Sequence, residues 1–108
     1  MIKVTIKRNS AGKIDSFTMS GHAEFDEPGK DIVCAGASAI AFGTINSIYV
    51  LCKVEPSLNQ EKKGFLHCQI PHLEDDVIME KVQLLLEGMI VSFQTIELDY
   101  GQYIKINS

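Results

Sequence analysis

The sequence lacks the features that mark several protein classes. It has no tryptophan, only three cysteines, and fewer basic than acidic residues, with a formal net charge of −4. A small, odd number of cysteines argues against a disulfide-stabilised secreted domain and favours the reducing cytoplasm. The negative charge argues against direct nucleic-acid binding, because proteins that bind phosphate backbones carry a basic patch. No positively charged segment precedes an apolar run at the N-terminus, so we expect neither a secretory signal nor a membrane location.

The histidines and cysteines are poorly spaced for a metal site. Neither Cys-x-x-Cys nor His-x-x-x-His occurs, and these spacings are typical of zinc ligands. His67 and Cys68 are adjacent in a predicted strand, where neighbouring side chains point to opposite faces. Cys34 and Cys52 fall in one predicted helix, separated by roughly 27 Å at about 1.5 Å per residue, too far for a disulfide. We therefore expect no metal site, and a reaction at a cysteine nucleophile would need no cofactor either.

The length and the hydrophobic pattern predict one small α+β domain. A chain of 108 residues fits a single domain over residues 1–108 with one core. Short apolar segments, alternating with polar residues or ended by Gly, Pro or Asn, predict strands at 1–8, 13–20, 54–59, 64–70 and 102–107. Longer apolar segments predict helices at 34–53 and 75–95. Ile14 has an even number in the second predicted strand, whereas Phe17 and Met19 have odd numbers, so the three cannot face the same side of a regular strand. This indicates a bulge. The order β-β-α-β-β-α-β predicts a mostly antiparallel sheet packed with two helices.

The segment between the second strand and the first helix holds the residues best suited to catalysis. His22 follows the predicted strand, and Cys34 opens the predicted helix. A thiol at a helix N-terminus faces unpaired N–H groups and the positive end of the dipole, which favour the thiolate. A nearby imidazole can take the sulfur's proton, which completes the minimum of a cysteine nucleophile. The pattern fits a small cysteine hydrolase, while a structural cysteine beside an unrelated histidine is the alternative.

Three neighbours of this pair each have two interpretations. Ser38 lies one turn after the cysteine on the same face, so its hydroxyl either reaches the site or bonds back to a helix carbonyl. Asp31 either orients the histidine or caps the helix. Residues 23–33 are acidic and contain Pro28-Gly29, so they form either a solvated connector or a mobile flap over the site.

The second helix is predicted to be apolar over more than one face. Apolar residues with helical spacing form a stripe that predicts where this helix contacts the sheet. Further apolar residues widen the stripe. They are Leu84, Leu86, Ile90 and Val91. The wide surface indicates either a broad core contact or a subunit interface, and we expect a homodimer formed through this helix and its neighbouring strand.

Two blocks of sequence carry a family resemblance over essentially the whole chain. Ser20-Gly21-His22-Ala23, followed by the block from Asp31 to Ser38 (Asp-Ile-Val-Cys-Ala-Gly-Ala-Ser), resembles the signature of the bacterial ribosomal-processing cysteine protease family, Prp. The length, the element order, and the final amphipathic helix and strand are similar too.

This resemblance implies an endopeptidase that removes a short N-terminal extension from a large-subunit ribosomal protein, a step needed for ribosome function. On this match Cys34 is the nucleophile, and His22 is the base and then the proton donor. Gly21, Asp31 and Ser38 belong to the same motif with supporting roles. The family is also similar in forming homodimers and in having a flexible loop beside the site.

Further expectations follow for such a site. The N–H groups near Ala35 and Gly36 are candidate oxyanion donors, and the small side chains of Ala35, Ala37 and Ala39 would leave space for an aromatic substrate side chain. The alternative function is a non-enzymatic ribosome-associated or protein-binding module, in which the histidine and the cysteine only determine the fold. A thiol redox sensor is a weaker alternative, because no second cysteine lies near the first in sequence.

Overall fold

The computed structural model describes residues 1–27, 30–60 and 62–108. In these residues the chain forms five strands and two helices. The strands are β1 (Ile2–Arg8), β2 (Ile14–Ser20), β3 (Ser57–Asn59), β4 (Phe65–Gln69) and β5 (Ile104–Asn107), and the helices are α1 (Ile32–Cys52) and α2 (Asp76–Tyr100). The α+β fold and the order β-β-α-β-β-α-β confirm the prediction.

The strands form one sheet in the order β3-β4-β2-β1-β5. All neighbours are antiparallel except β1 and β5, so the sheet is mixed but mostly antiparallel, as predicted. Strands β4 and β5 run in the same direction. A connection between such strands needs a crossover, which α2 supplies.

A bulge in β2 explains its irregular hydrophobic pattern. Lys7 pairs with Ser16, but the next residue, Arg8, pairs with Ile14, which leaves Asp15 as an extra residue in β2. An extra residue shifts the alternation of side chains by one position. Ile14 and Phe17 are therefore both buried despite their unequal parity, and the predicted bulge is confirmed.

The two faces of the sheet differ in chemistry. On one face, apolar side chains of neighbouring strands lie in register and pack with residues of both helices. The strand residues of this core include Ile2, Val4, Ile6, Phe17, Leu66, Cys68 and Ile104. The opposite face is polar, with Thr5 and Thr18 aligned and a 2.8 Å hydrogen bond between Thr18 Oγ1 and His67 Nδ1. Polar side chains thus cover the face that the helices leave open.

Helix α1 begins two residues earlier than predicted. Asp31 is its N-cap, and the Asp31 Oδ1 atom accepts the N–H groups of Val33 and Cys34, both at 3.0 Å. A capping carboxylate bonds the second and third residues of a helix, so Cys34 is the third helical residue and the prediction that it opens the helix was wrong. The sulfur still lies in the first turn, where N–H groups lack intrahelical partners.

Helix α1 is apolar for most of its length. It is long and apolar enough to cross a membrane by length and composition, with a mean hydropathy of 1.5, a criterion that core helices of globular proteins also meet. In this fold α1 packs into the core through Val33, Ala37, Ala41, Ile45 and Ile48. These contacts explain the apolar residues on one side of α1, whereas Ile32, Val50 and Leu51 are exposed.

Helix α2 begins after its N-cap, Asp75, and runs five residues beyond the predicted end. Leu86 and Ile90 are fully or almost fully buried in the core, which corrects the view that they widen an outer surface. Leu84 and Val91 are exposed. Because residues along a helix advance by about 100° each, neighbours in sequence divide between the core and the outer face.

Candidate active site

The site begins at a sharp turn at the end of β2. Gly21 has a φ of +90°, and a Cβ at this position would collide with the carbonyl oxygen of Met1. A residue with a side chain would therefore be strained here. The Gly21 N–H donates to the Gly64 carbonyl at 2.8 Å, which fastens the turn that carries His22 to the residue before β4.

The Cys34 side chain is half-buried on the first turn of α1. Its Sγ atom accepts a hydrogen bond from the backbone N–H of Ala23 at 3.3 Å. Ala23 directly follows His22, so this bond ties the histidine loop to the cysteine. The free thiol thus lies in the first turn of α1, against the backbone of the residue that follows His22.

The Asp31 carboxylate joins the helix to the loop that precedes it. While Oδ1 caps α1, Oδ2 accepts the N–H groups of Phe25 at 2.9 Å and Asp26 at 3.4 Å. Burial of the carboxyl raises its pKa, but hydrogen bonds from the backbone of Cys34, Phe25 and Asp26 and from the Cys34 thiol lower the pKa below the usual 3.8. In the described residues no hydrogen bond joins Asp31 to the imidazole, so its geometry is that of a cap.

Two adjoining cavities share a wall made of His22, Cys34 and Ser38. The first has a volume of about 380 Å³ and the second about 710 Å³. The first is lined on its apolar side by Ile2, Met19, Phe42 and Leu66. A group bound between the cavities would contact the thiol and the imidazole together.

The rims of these cavities carry opposite charges. Glu24 and Asp26 line the second cavity, and Lys63 lines both. Lys62 also lines the first cavity. The site is therefore a cleft with an acidic side on the loop after β2 and a basic side on the turn before β4.

The other predicted site residues divide between the cleft and the helix packing. Ser38 lines both cavities, and its hydroxyl lacks the bond to a carbonyl four residues back that Thr44 and Ser47 make, within the part of the chain described. Ala35 lines the second cavity, but its N–H donates to the Asp31 carbonyl at 3.0 Å.

Gly36 lies against the other helix. A Cβ at Gly36 would meet Ile96 Cδ1 of α2 at 3.2 Å, so the absence of a side chain lets the two helices approach. The expected aromatic pocket also changes, because Ala37 is fully buried and Ala39 lines a separate groove between the helices. Of the three predicted pocket alanines only Ala35 lies at the cleft.

The described part of the acidic loop is anchored at both ends. The Phe25 ring makes edge-to-face contacts with Tyr100 and Tyr103, with centroid separations of 5.5 and 5.1 Å. Asp31 holds the Phe25 backbone, as above. The Pro28-Gly29 pair within the hypothetical flap lies outside the described residues.

Sequence reasoning missed three contributors to this site. The Ala23 N–H, the Phe25 ring and the backbone of Gly64 each act through contacts with residues distant in the chain. A glycine after two lysines is common in turns, so nothing in the sequence pointed to Gly64. Across residues 1–27, 30–60 and 62–108, no group of three or more His, Cys, Asp or Glu side chains could hold a metal ion.

Comparison with known proteins shows the family of this chain. The sequence matches the family model for cysteine protease Prp over residues 1–105. It is 44% identical over 109 residues to the ribosomal processing cysteine protease Prp of Bacillus subtilis, covering 100% of this chain and 97% of that protein.

Two crystal structures of the essential ribosomal processing protease Prp from S. aureus also match, each covering 99% of this chain and 98% of theirs. The complex with a covalently linked product peptide has a TM-score of 0.88 at 42% identity. The complex with a substrate peptide has a TM-score of 0.82 at 41% identity. With the family match spanning nearly the full length, this chain belongs to the cysteine protease Prp family.

Proposed function

We propose that residues 1–108 act as a single cysteine endopeptidase domain in which Cys34 is the nucleophile and His22 is the general base. The observation that carries the proposal is the shared wall of two cavities, which the Cys34 thiol and the His22 imidazole both line. Such a pair needs no further cofactor for peptide hydrolysis.

The reaction would proceed in two halves. The imidazole takes the thiol proton, the sulfur attacks the peptide carbonyl carbon, and the C–N bond breaks as the imidazolium protonates the departing amine. Water, activated by the same imidazole, then hydrolyses the thioester and regenerates the thiol. The S. aureus relative solved with a covalently linked product peptide supports a covalent route in this family.

The neighbouring residues would have supporting roles. Asp31 keeps the first turn of α1 and the loop in place, and Gly21 allows the turn that presents the imidazole. Ser38 and Ala35 would contact the substrate from the floor of the cleft. The Ala35 N–H is held by its bond within the helix. The Ala23 N–H donates to the sulfur, which becomes a weaker acceptor once it bonds the carbonyl carbon, so this N–H is the better candidate for contact with an oxyanion.

The substrate we propose is the N-terminal extension of a large-subunit ribosomal protein, and the site of action the cytoplasm. Support comes from relatives named ribosomal processing proteases, one of them solved with a substrate peptide. The apolar wall formed by Met19, Phe42 and Leu66 would accept an aromatic side chain before the scissile bond. The acidic rim would attract a basic segment, with a strength that falls as salt increases.

We also propose a homodimer formed along α2, with the edge strand β5 beside it. Four exposed apolar residues recur every seventh position on the outer face of α2. They are Val77, Leu84, Val91 and Leu98. A seven-residue repeat places such residues in a continuous stripe, which is typical of helices that pair.

The dimer can be tested by light scattering at micromolar protein concentration. We expect the mass of two chains for the wild type and of one chain for the Leu84→Glu, Val91→Glu double variant. The Val50→Glu, Leu51→Glu double variant, which adds the same two charges at exposed apolar positions of α1, should leave the dimer intact. A monomeric wild type, or a double variant of unchanged mass, would contradict the interface.

The activity can be tested with the ribosomal precursor encoded in the same genome. We expect intact-mass analysis to find one cut that shortens the precursor at its N-terminus. Cys34→Ala should lower the rate by more than about a thousandfold, and His22→Ala by about 10²–10⁴-fold. Alanine suits the first turn of a helix, so the fold should persist.

Two variants serve as controls for these substitutions. Cys52→Ala changes a cysteine at the far end of α1, and His72→Ala changes a histidine that lines a different cavity. Both should cleave at the wild-type rate. Normal cleavage by Cys34→Ala would end the nucleophile assignment. Tight binding of the precursor by the wild type, without cleavage, would instead favour the non-enzymatic protein-binding module.

A further inference from the structure

The turn before β4 lies directly beneath the His22 imidazole. A Cβ built on Gly64 would stand 2.6 Å from His22 Nε2, 2.8 Å from Cε1 and 3.3 Å from Cδ2. Three ring atoms that close to one point mean that the imidazole rests against the bare Cα of Gly64. Any side chain at this position would occupy the space of the ring.

A second contact fixes the same two segments. The Gly21 N–H donates to the Gly64 carbonyl at 2.8 Å, so residues 21 and 22 both touch Gly64. Gly64 itself has a φ of +73°, a conformation that residues with a Cβ adopt at a cost. The backbone conformation at Gly64 and its lack of a side chain together leave room for the imidazole ring.

We propose that Gly64 is a positioning residue for the catalytic imidazole. It sets the distance between the ring and the Cys34 sulfur by offering a surface without a side chain, and it does so from a different segment than the one that carries His22. This inference rests on the proposed role of His22 as general base. Small displacements of a reacting group can cost about a hundredfold in rate.

The test compares Gly64→Ala with Gly12→Ala. Gly12 has a φ of +81°, and a Cβ there would meet nothing within 4 Å, so the control imposes the same backbone strain without touching the imidazole. Because the ring is the end of an exposed, rotatable side chain, both variants should fold with similar losses of thermal stability. We expect Gly64→Ala alone to lower kcat by about tenfold to a hundredfold, with KM changed less than twofold.

Two further measurements separate positioning from general damage. In a His22→Ala background, Gly64→Ala should cause no additional loss of kcat. The NMR signal of the His22 Cε1 proton should shift in Gly64→Ala and not in Gly12→Ala. Should the alanine variants fold poorly, Gly64→Asn and Gly12→Asn give the same comparison, since asparagine tolerates positive φ.

The outcomes distinguish this inference from the proposed function. An unchanged kcat or an unchanged His22 signal in Gly64→Ala would overturn the positioning role, even if His22→Ala is inactive. Equal loss of activity in the Gly64 and Gly12 variants would overturn it as well. A fully active His22→Ala would instead refute the general-base assignment, whatever the NMR signal shows.

Discussion

The aromatic anchor of the acidic loop offers a prediction whose size follows from the structure. Phe25→Ala removes the ring that contacts Tyr100 and Tyr103 edge-to-face. We expect the loop to detach more often from the end of α2, because its other described hydrogen bonds join it to the start of α1. These are the bond from Ala23 to Cys34 Sγ and those from Phe25 and Asp26 to Asp31 Oδ2.

The magnitude comes from the two ring contacts. Each edge-to-face pair contributes about 0.5–1.5 kcal/mol beyond the area it buries, so losing both costs about 1–3 kcal/mol. Since each 1.4 kcal/mol corresponds to a factor of ten, the detached population should rise between about fivefold and about 150-fold. Phe25 is 38% exposed, so the lost burial adds to this only in part.

Hydrogen exchange measured at single amides checks the prediction. Protection of the residue 25 and 26 amides should fall by that factor, whereas the Val33 and Cys34 amides, which bond Asp31 Oδ1, should keep theirs. Tyr49→Ala, an exposed aromatic on α1, is the matched control and should change neither set. Unchanged exchange at the loop amides, or equal loss at all four, would refute the anchor.

Three other outcomes are expected. Burial raises the pKa of Cys68 to about 12, so at about pH 8 only roughly one molecule in 10⁴ carries the thiolate. Iodoacetamide should label Cys34 and spare Cys68 in the folded protein, and peptide mapping that finds Cys68 labelled before unfolding would contradict this. The native pKa of Asp31 lies below 3.8, so its stabilisation is complete above that value and is lost as the pH falls below it. Acid melting curves of Asp31→Asn should accordingly fall less steeply with pH than those of the wild type, and parallel curves would count against the effect. Burial of one phenyl ring against the wall containing Phe42 contributes roughly 2–3 kcal/mol. A substrate peptide with Phe before the cut should therefore have a kcat/KM more than about tenfold above its Ala analogue, and equal values would exclude the pocket.

Short-range patterns in the sequence were enough for the fold class and for naming the two candidate residues that line the cleft. Apolar side chains recur with the period of the strand or helix that carries them. The alternation of apolar and polar residues in β1, its interruption in β2 and the apolar stripe of α2 therefore indicate which side of each element is buried. Likewise, Cys34 near a helix start and His22 at a strand end are local features, and both now lie on one wall of the cleft.

The exact edges and outer faces of the helices were harder to predict. The sequence left two roles open for Asp31, which could orient the histidine or cap α1. In the structure one carboxylate oxygen caps the helix and the other accepts the N–H groups of Phe25 and Asp26. On α2, Leu84 and Leu86 have the same chemistry. Which of them is buried depends on the rotation of the helix about its own axis, because the two side chains point to nearly opposite sides of the helix.

What the sequence by itself determined is therefore the set of elements and the pair His22 and Cys34, since both follow from residue type and local spacing. Tertiary structure alone decided what surrounds the pair: Gly64 under the imidazole, the Ala23 N–H at the sulfur and the aromatic anchor of Phe25. These contacts join segments far apart in the chain. Hydrophobic periodicity describes only the burial of each segment, and it carries no information about which distant backbone atoms the folded chain brings within contact distance.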